Sequence, residues 1–235
     1  MNASEQRRKV LLQIGSAAVF LAIVAVAVLI VVSSNETSGG DTNLEDVGLV
    51  KRELQGIPQS ALVLGQSSAK VTLYEFGDPQ CPVCKGFSEE IIPTVVESKV
   101  RGGEAKIEFK NFIIISQESV PAGAAAIAAG EQGRGWNFID LFYRNQGPEA
   151  SGYVTDEFLT EIARGAGVPD IATWNKARES AAILGEVKRT TEEAQQLELT
   201  GTPSFAVEGP GTQGIESLGT PGSAEALEEA IEGAA

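Results

Sequence analysis

Cysteine occurs at only two positions in the 235-residue chain, and the two stand close together in Cys81-Pro82-Val83-Cys84. Their flanks restrict where such a pair can sit. Val71-Thr72-Leu73-Tyr74-Glu75-Phe76 alternates β-branched and aromatic residues, which is strand chemistry, and Gly77-Asp78-Pro79 breaks that strand. After Pro82, the apolar residues Val83, Phe87, Ile91 and Val95 recur at near-helical spacing. The pair is therefore expected at a strand-to-helix junction. Cys81 falls at or next to the N-cap, and Pro82 takes the first helical position, where a missing N–H costs nothing.

A helix N-terminus presents unpaired N–H donors and a partial positive charge. A sulfur held there is favoured as thiolate, with its pKa drawn from about 8.5 into roughly the 3.5–7.5 range. Thiolate is the nucleophile of disulfide exchange, so Cys81 is the candidate attacking sulfur and Cys84, about one turn on, the candidate resolving one. A thiolate zinc site needs four ligands, and the chain has no histidine and no third cysteine. A structural disulfide would close too short a loop to remove much unfolded-state entropy. That reading and a pair of inert buried thiols remain the competitors to redox use.

The formal net charge of −14 repels nucleic-acid phosphates and argues against a DNA or RNA role. Val10 to Val32 is nearly continuous apolar sequence, long enough as a helix to cross a bilayer core of about 30 Å. It is expected to be an uncleaved single-pass anchor, because signal-peptide apolar regions are shorter and no clear cleavage site follows. Arg7-Arg8-Lys9 precede it and acids follow it, which puts residues 1–9 in the cytoplasm and the remainder outside. Residues 33–46, rich in Ser, Gly, Asn, Thr and acid, read as a flexible tether. Asn35-Glu36-Thr37 matches a glycosylation sequon, a short motif frequent by chance. Disulfides persist outside the cytoplasm, so an exported domain with one cysteine pair suggests working sulfurs.

The remaining domain is expected over 47–235. It opens with an extension over 47–64 that packs on the body, with a short strand. In the strand before the cysteines, Val71, Leu73 and Glu75 share a face. Glu75 is either solvated at the strand end or buried as a carboxyl with raised pKa that takes a proton as Cys84 attacks. The helix from Pro82 is expected to reach Val100, kinked at Pro93, and a second strand to span Ala105 to Ile115. Helical spacing follows over Val120 to Gly130, Trp136 to Tyr143, Phe158 to Ala166 and, as one long helix, Ala177 to Leu199. Trp136, Phe138, Phe142 and Trp174 are candidate core. Gly130-Glu131-Gln132-Gly133-Arg134-Gly135 has no strand before it and is discounted as a nucleotide loop. Gly201-Thr202-Pro203-Ser204-Phe205 opens a strand, with proline allowed at its start. A further strand is expected near Gln213 to Leu218, and a last helix over Ala224 to Ile231. Without the middle helices, the order is βαβ followed by ββα.

On the strand-CPVC-helix unit, the helical insert (about 118–185) and Gly201-Thr202-Pro203-Ser204-Phe205, the sequence resembles the DsbA-like thiol–disulfide oxidoreductases of the thioredoxin superfamily, in their membrane-anchored bacterial form. The resemblance covers about 62–232. It implies an α/β thioredoxin fold with a helical insertion, preceded by one transmembrane helix. It implies that Pro203 is the cis-proline beside the cysteines, that the Thr202 backbone pairs with a bound peptide, and that Glu75 is the buried acid near the resolving cysteine. Val83 stands where DsbA itself has histidine, so thiolate stabilisation is expected from helix-terminus N–H groups, with Lys85 either lending modest help or standing as a surface residue. The expected activity is oxidation of exported protein thiols by a monomer without a cofactor. Reoxidation is expected from a quinone-linked membrane enzyme of the DsbB or vitamin K epoxide reductase (VKOR) kind. A thiol reductase in the same location, or a non-redox peptide-binding module of the same fold, is the alternative.

Overall fold

The computed structural model describes residues 44–235. The expected anchor over 10–32, the sequon at Asn35 and most of the expected tether lie outside the described residues. No helix among the described residues is long and apolar enough to cross a membrane.

Six strands form one sheet in the order β1-β2-β4-β3-β5-β6. They are β1 (Gln59–Ser60), β2 (Val63–Leu64), β3 (Val71–Gly77), β4 (Ala105–Asn111), β5 (Ser204–Glu208) and β6 (Glu216–Gly219). β3 and β4 run parallel, from Val71 opposite Ala105 to Gly77 opposite Asn111. β5 pairs antiparallel with β3, and β1, β2 and β6 extend the edges antiparallel. The extension expected over 47–64 thus supplies a hairpin to the sheet, preceded by a short helix, α1 (Val47–Glu53). The hairpin packs tightly on the glycine loop discounted above. A Cβ at Gly130 or Gly135 would stand 2.5 Å from the Ala61 carbonyl oxygen, so those glycines serve close backbone approach.

The crossover between β3 and β4 is a continuous helical run, α2, from Pro82 to Val100. It alternates α turns (Pro82–Gly86, Ile92–Val95) with π turns (Phe87–Ile91, Val96–Val100). The first π turn stands just before Pro93. Proline lacks an N–H and crowds the carbonyl four residues back, and a wider turn relieves that conflict within the helix. β4 ends at Asn111, short of the expected Ile115: its partner β3 ends opposite at Gly77, the Ile113 N–H goes to the Thr191 hydroxyl at 3.1 Å, and Asp78 takes the N–H groups of Ile114 and Ile115 at 2.8 and 2.9 Å.

Five helices follow: α3 (Ser119–Gly130), α4 (Gly135–Arg144), α5 (Asp156–Gly165), α6 (Ile171–Arg178) and α7 (Ala181–Gln196). The single helix expected over 177–199 is two. Ser180 caps the second by accepting from the Ile183 N–H at 3.3 Å, the usual preference of serine at helix starts. The aromatic residues are core, as expected. Trp174 is fully buried and donates to the Ala125 carbonyl at 2.9 Å, and its ring stands 6.1 Å from Phe138. The last helix is α8 (Ala224–Ala234).

Alternation along β3 divides the core. Tyr74 and Phe76 pack with Ala194 of α7, while Val71 and Leu73 join the larger cluster that includes α2 residues. Glu75 shares the second face and is itself buried.

Candidate active site

β3 runs into the site through Gly77. A Cβ there would stand 2.7 Å from the Phe109 ring and 2.9 Å from the Tyr143 hydroxyl, so only glycine passes. The next residues form a turn held by buried polar groups. Asp78 is fully buried. One carboxylate oxygen accepts from the Gln80 N–H at 2.9 Å and the other from Ile114 and Ile115. Tyr143 donates to the Asp78 carbonyl at 3.2 Å. The Gln80 side-chain oxygen accepts from the Ser116 hydroxyl and the Ala150 N–H, and its amide nitrogen donates to Glu118. Gln146 donates to the carbonyls of Pro79 at 2.8 Å and Cys81 at 3.2 Å. Buried groups so paired rigidify the segment they hold. In the sequence Asp78 stands out only as part of a strand break, and Gln80 and Gln146 carry no local signal. An acid inside a Gly-Asp-Pro turn was the one available signal.

Cys81 is the N-cap of α2 and Pro82 its first residue, as the spacing predicted. Both cysteines are free thiols, Cys81 3% exposed and Cys84 fully buried, while Val83 between them is 53% exposed. The Cys84 N–H donates to the Cys81 sulfur at 3.3 Å. Thr202-Pro203 is a cis peptide, and its loop lies against Cys81, whose thiol donates to the Thr202 carbonyl at 3.3 Å.

The two sulfurs are driven apart electrostatically. Cys81 is lowered to about 6, first by a hydrogen bond from the Cys84 side chain, then, against the cost of burial, by the Thr202 side chain and the N–H groups of Cys84 and Val83. The helix amides therefore contribute, but less than the neighbouring thiol, which the sequence reading had not weighed. Lys85 reaches the Arg144 carbonyl at 3.5 Å and Glu89 at 3.7 Å. Cys84 is pushed well above its ordinary value by burial and by the charges of Cys81 and Glu75. Glu75 rises to about 8, chiefly through burial and then through Asp140 and Cys81, and its Oε1 has no hydrogen-bond partner among the described residues. Asp140 was not singled out from sequence. It rises to about 6 through burial, with Arg144 opposing. It accepts from the Ser88 hydroxyl at 3.2 Å and from Arg144 at 3.0 Å. One thiol is thus readied to ionise, the other held protonated, and a protonated acid is buried beside them.

Fold and paired thiols together define a thiol–disulfide oxidoreductase of the DsbA-like class. The family model described as Thioredoxin matches residues 59–232, and the chain belongs to that family. The probable disulfide bond formation protein D of Bacillus anthracis is 31% identical over 150 residues, spanning 62% of this chain and 69% of that relative. In fold, the chain is similar to oxidised BdbD from Bacillus subtilis, with TM-score 0.64 and 23% identity over 75% of this chain and 95% of that one. It is likewise similar to alpha-DsbA1 from Wolbachia pipientis, with TM-score 0.62 and 15% identity over 74% and 89% of the two chains.

Proposed function

We propose that the protein is an extracytoplasmic oxidase of protein thiols, anchored in the cell membrane by its segment 10–32 and acting through Cys81 and Cys84. A substrate thiolate attacks Cys81 of the Cys81–Cys84 disulfide. Cys84 leaves and takes a proton from Glu75, and a mixed disulfide joins Cys81 to the substrate. A second substrate thiol then attacks its own partner sulfur and releases Cys81 as thiolate. The substrate loses two electrons and gains a disulfide, and the protein gains both electrons. The Thr202 backbone holds the substrate chain beside Cys81 in a short strand pairing. A quinone-linked membrane enzyme of the DsbB or VKOR kind collects the electrons and restores the disulfide.

The observation that carries this reading is the placement of Cys81 at the N-cap of α2, taking the Cys84 N–H at 3.3 Å and lying against the cis Thr202-Pro203 loop, with Cys84 fully buried behind it; that placement lowers Cys81 and keeps Cys84 protonated. A thiolate stabilised in the reduced protein is a better leaving group, and it raises the reduction potential. Both effects favour taking electrons over giving them. The disulfide-formation name of the Bacillus anthracis relative supports the same direction.

Equilibrating Cys81–Cys84 against glutathione buffers tests the direction. A potential well above the roughly −270 mV of thioredoxin, with the pair mostly oxidised in growing cells, is expected. A potential at or below that value, with the pair mostly reduced, would make the protein a reductase. Equal cellular phenotypes for wild type and Cys84→Ser would make it a peptide-binding module. Protease added outside intact cells is expected to digest the domain; protection would overturn the orientation.

A further inference from the structure

The exchange just described leaves Glu75 one proton short, and Glu75 is buried. We propose that Asp140 and Ser88, with a cavity behind α2, form the path by which Glu75 exchanges protons with solvent, on a flank of the helix away from the substrate loop. The inference rests on the proton-donor role assigned to Glu75 and specifies its route.

A cavity of about 60 Å³ is lined by Ser88, Ile92 and Val96 of α2, Asp140 of α4 and Glu53 of α1, with exposed Glu97 and Arg101 at its rim. It can hold about four waters, at roughly 10–15 Å³ of such volume each. Ser88 stands one turn beyond Cys84, and its hydroxyl donates to Asp140. On another flank of α2, Phe87 stacks on Phe205 of β5 at 5.6 Å, on the strand that follows the Thr202-Pro203 loop. Glu75, opposite Phe205 in the sheet, lies within reach of the Asp140 charge and has an orphaned oxygen.

The charges around Asp140 suit a relay. Arg144 binds it from one side and is itself shared with Glu53 at 2.9 Å and Asp46 at 3.4 Å. Arg101 is occupied by Glu97 and by the carbonyls of Gln55 and Glu53. Asp140 is therefore not locked in one ionisation state by an undivided cation.

The test uses the full chain, reduced, mixed with oxidised glutathione in stopped flow. Cys81 first forms a mixed disulfide and releases one glutathione. Glu75, protonated in the reduced protein, first yields its proton along the path; Cys84 then gives its proton to the Glu75 carboxylate and attacks Cys81, and the second glutathione leaves as thiolate and is protonated by water. Asp140→Asn is expected to leave the first step within about twofold and to slow the second about tenfold, within the range of a lost acid–base group. Millimolar formate, small enough to enter the cavity, is expected to restore the rate. Ser88→Val, which removes the hydroxyl and fills the path, is expected to do the same without rescue, and it serves if Asp140→Asn fails to fold. Wild-type resolution in these variants would overturn the path, as would slowing of both steps that formate leaves untouched. If Glu75→Leu also resolved at the wild-type rate, the role of Glu75 itself would fall; slow Glu75→Leu with fast Asp140→Asn would remove the path alone.

Discussion

Replacing Glu75 by leucine should make the reduced protein more stable, and by an amount that grows with pH. In the fold this carboxyl titrates near 8, against an ordinary 4.5, because burial and the neighbouring charges of Asp140 and Cys81 disfavour its anion. Below about pH 4.5 the group is protonated in both folded and unfolded chains, and it costs nothing. Between about 4.5 and 8 the unfolded chain releases a proton that the fold retains, so stability is lost with rising pH at about 1.4 kcal/mol per pH unit. The loss is complete above 8, and it accumulates to about 5 kcal/mol at full strength. The lowered Cys81 acts with the opposite sign, gaining stability between about 6 and 9, and it is present in both proteins, so to first order it cancels in the difference. Urea denaturation of both reduced proteins from pH 4 to 9 measures the effect. The account predicts a difference that climbs through this window and then levels. A flat difference would mean that Glu75 ionises as a solvated carboxylate, and it would refute both its burial and its role as proton donor.

Three further substitutions test the geometry around the thiols. Asp78→Ala strands the buried Gln80 N–H and the part-buried N–H groups of Ile114 and Ile115 and should cost about 1–3 kcal/mol, with faster amide exchange at Gln80, Ile114 and Ile115; unchanged exchange would dismiss the clamp. Gly77→Ala drives a methyl against Phe109 and Tyr143 and should destabilise by about 1–3 kcal/mol in thermal unfolding, the usual cost of overpacking. Thr202→Val removes a side-chain hydrogen bond to the Cys81 thiolate and should move the Cys81 alkylation midpoint upward; a midpoint at the wild-type position would exclude the hydroxyl from stabilising the sulfur.

Local chemistry made much of the frame legible. The alternation of Val71 to Phe76 and the helical spacing from Val83 to Val95 placed the cysteine pair, and Pro82 marked the helix start. The parts that were not legible depend on contacts distant in sequence. β4 stops early because its following amides are claimed by side chains more than thirty residues away, Ile113 by Thr191 and Ile114 and Ile115 by Asp78. Ser180 divides two helices by a cap that apolar periodicity does not register. The tether was read as free to residue 46, yet Glu45 exchanges hydrogen bonds with Asn145 at 2.8 and 3.2 Å and Asp46 reaches Arg144, pairings no local pattern announces. Glu75 was an ambiguous acid on an apolar face until the fold buried it. Asp140, one acid on an amphipathic helix, had no signal at all.

Alkylation of the reduced protein across a pH series, with the two cysteines resolved by mass, tests the central claim most directly. Cys81 should react with a midpoint near 6 while Cys84 stays unreactive throughout the range in which the protein remains folded. A Cys81 midpoint at or above the roughly 8.5 of free cysteine, or matching reactivity at Cys84, would contradict it.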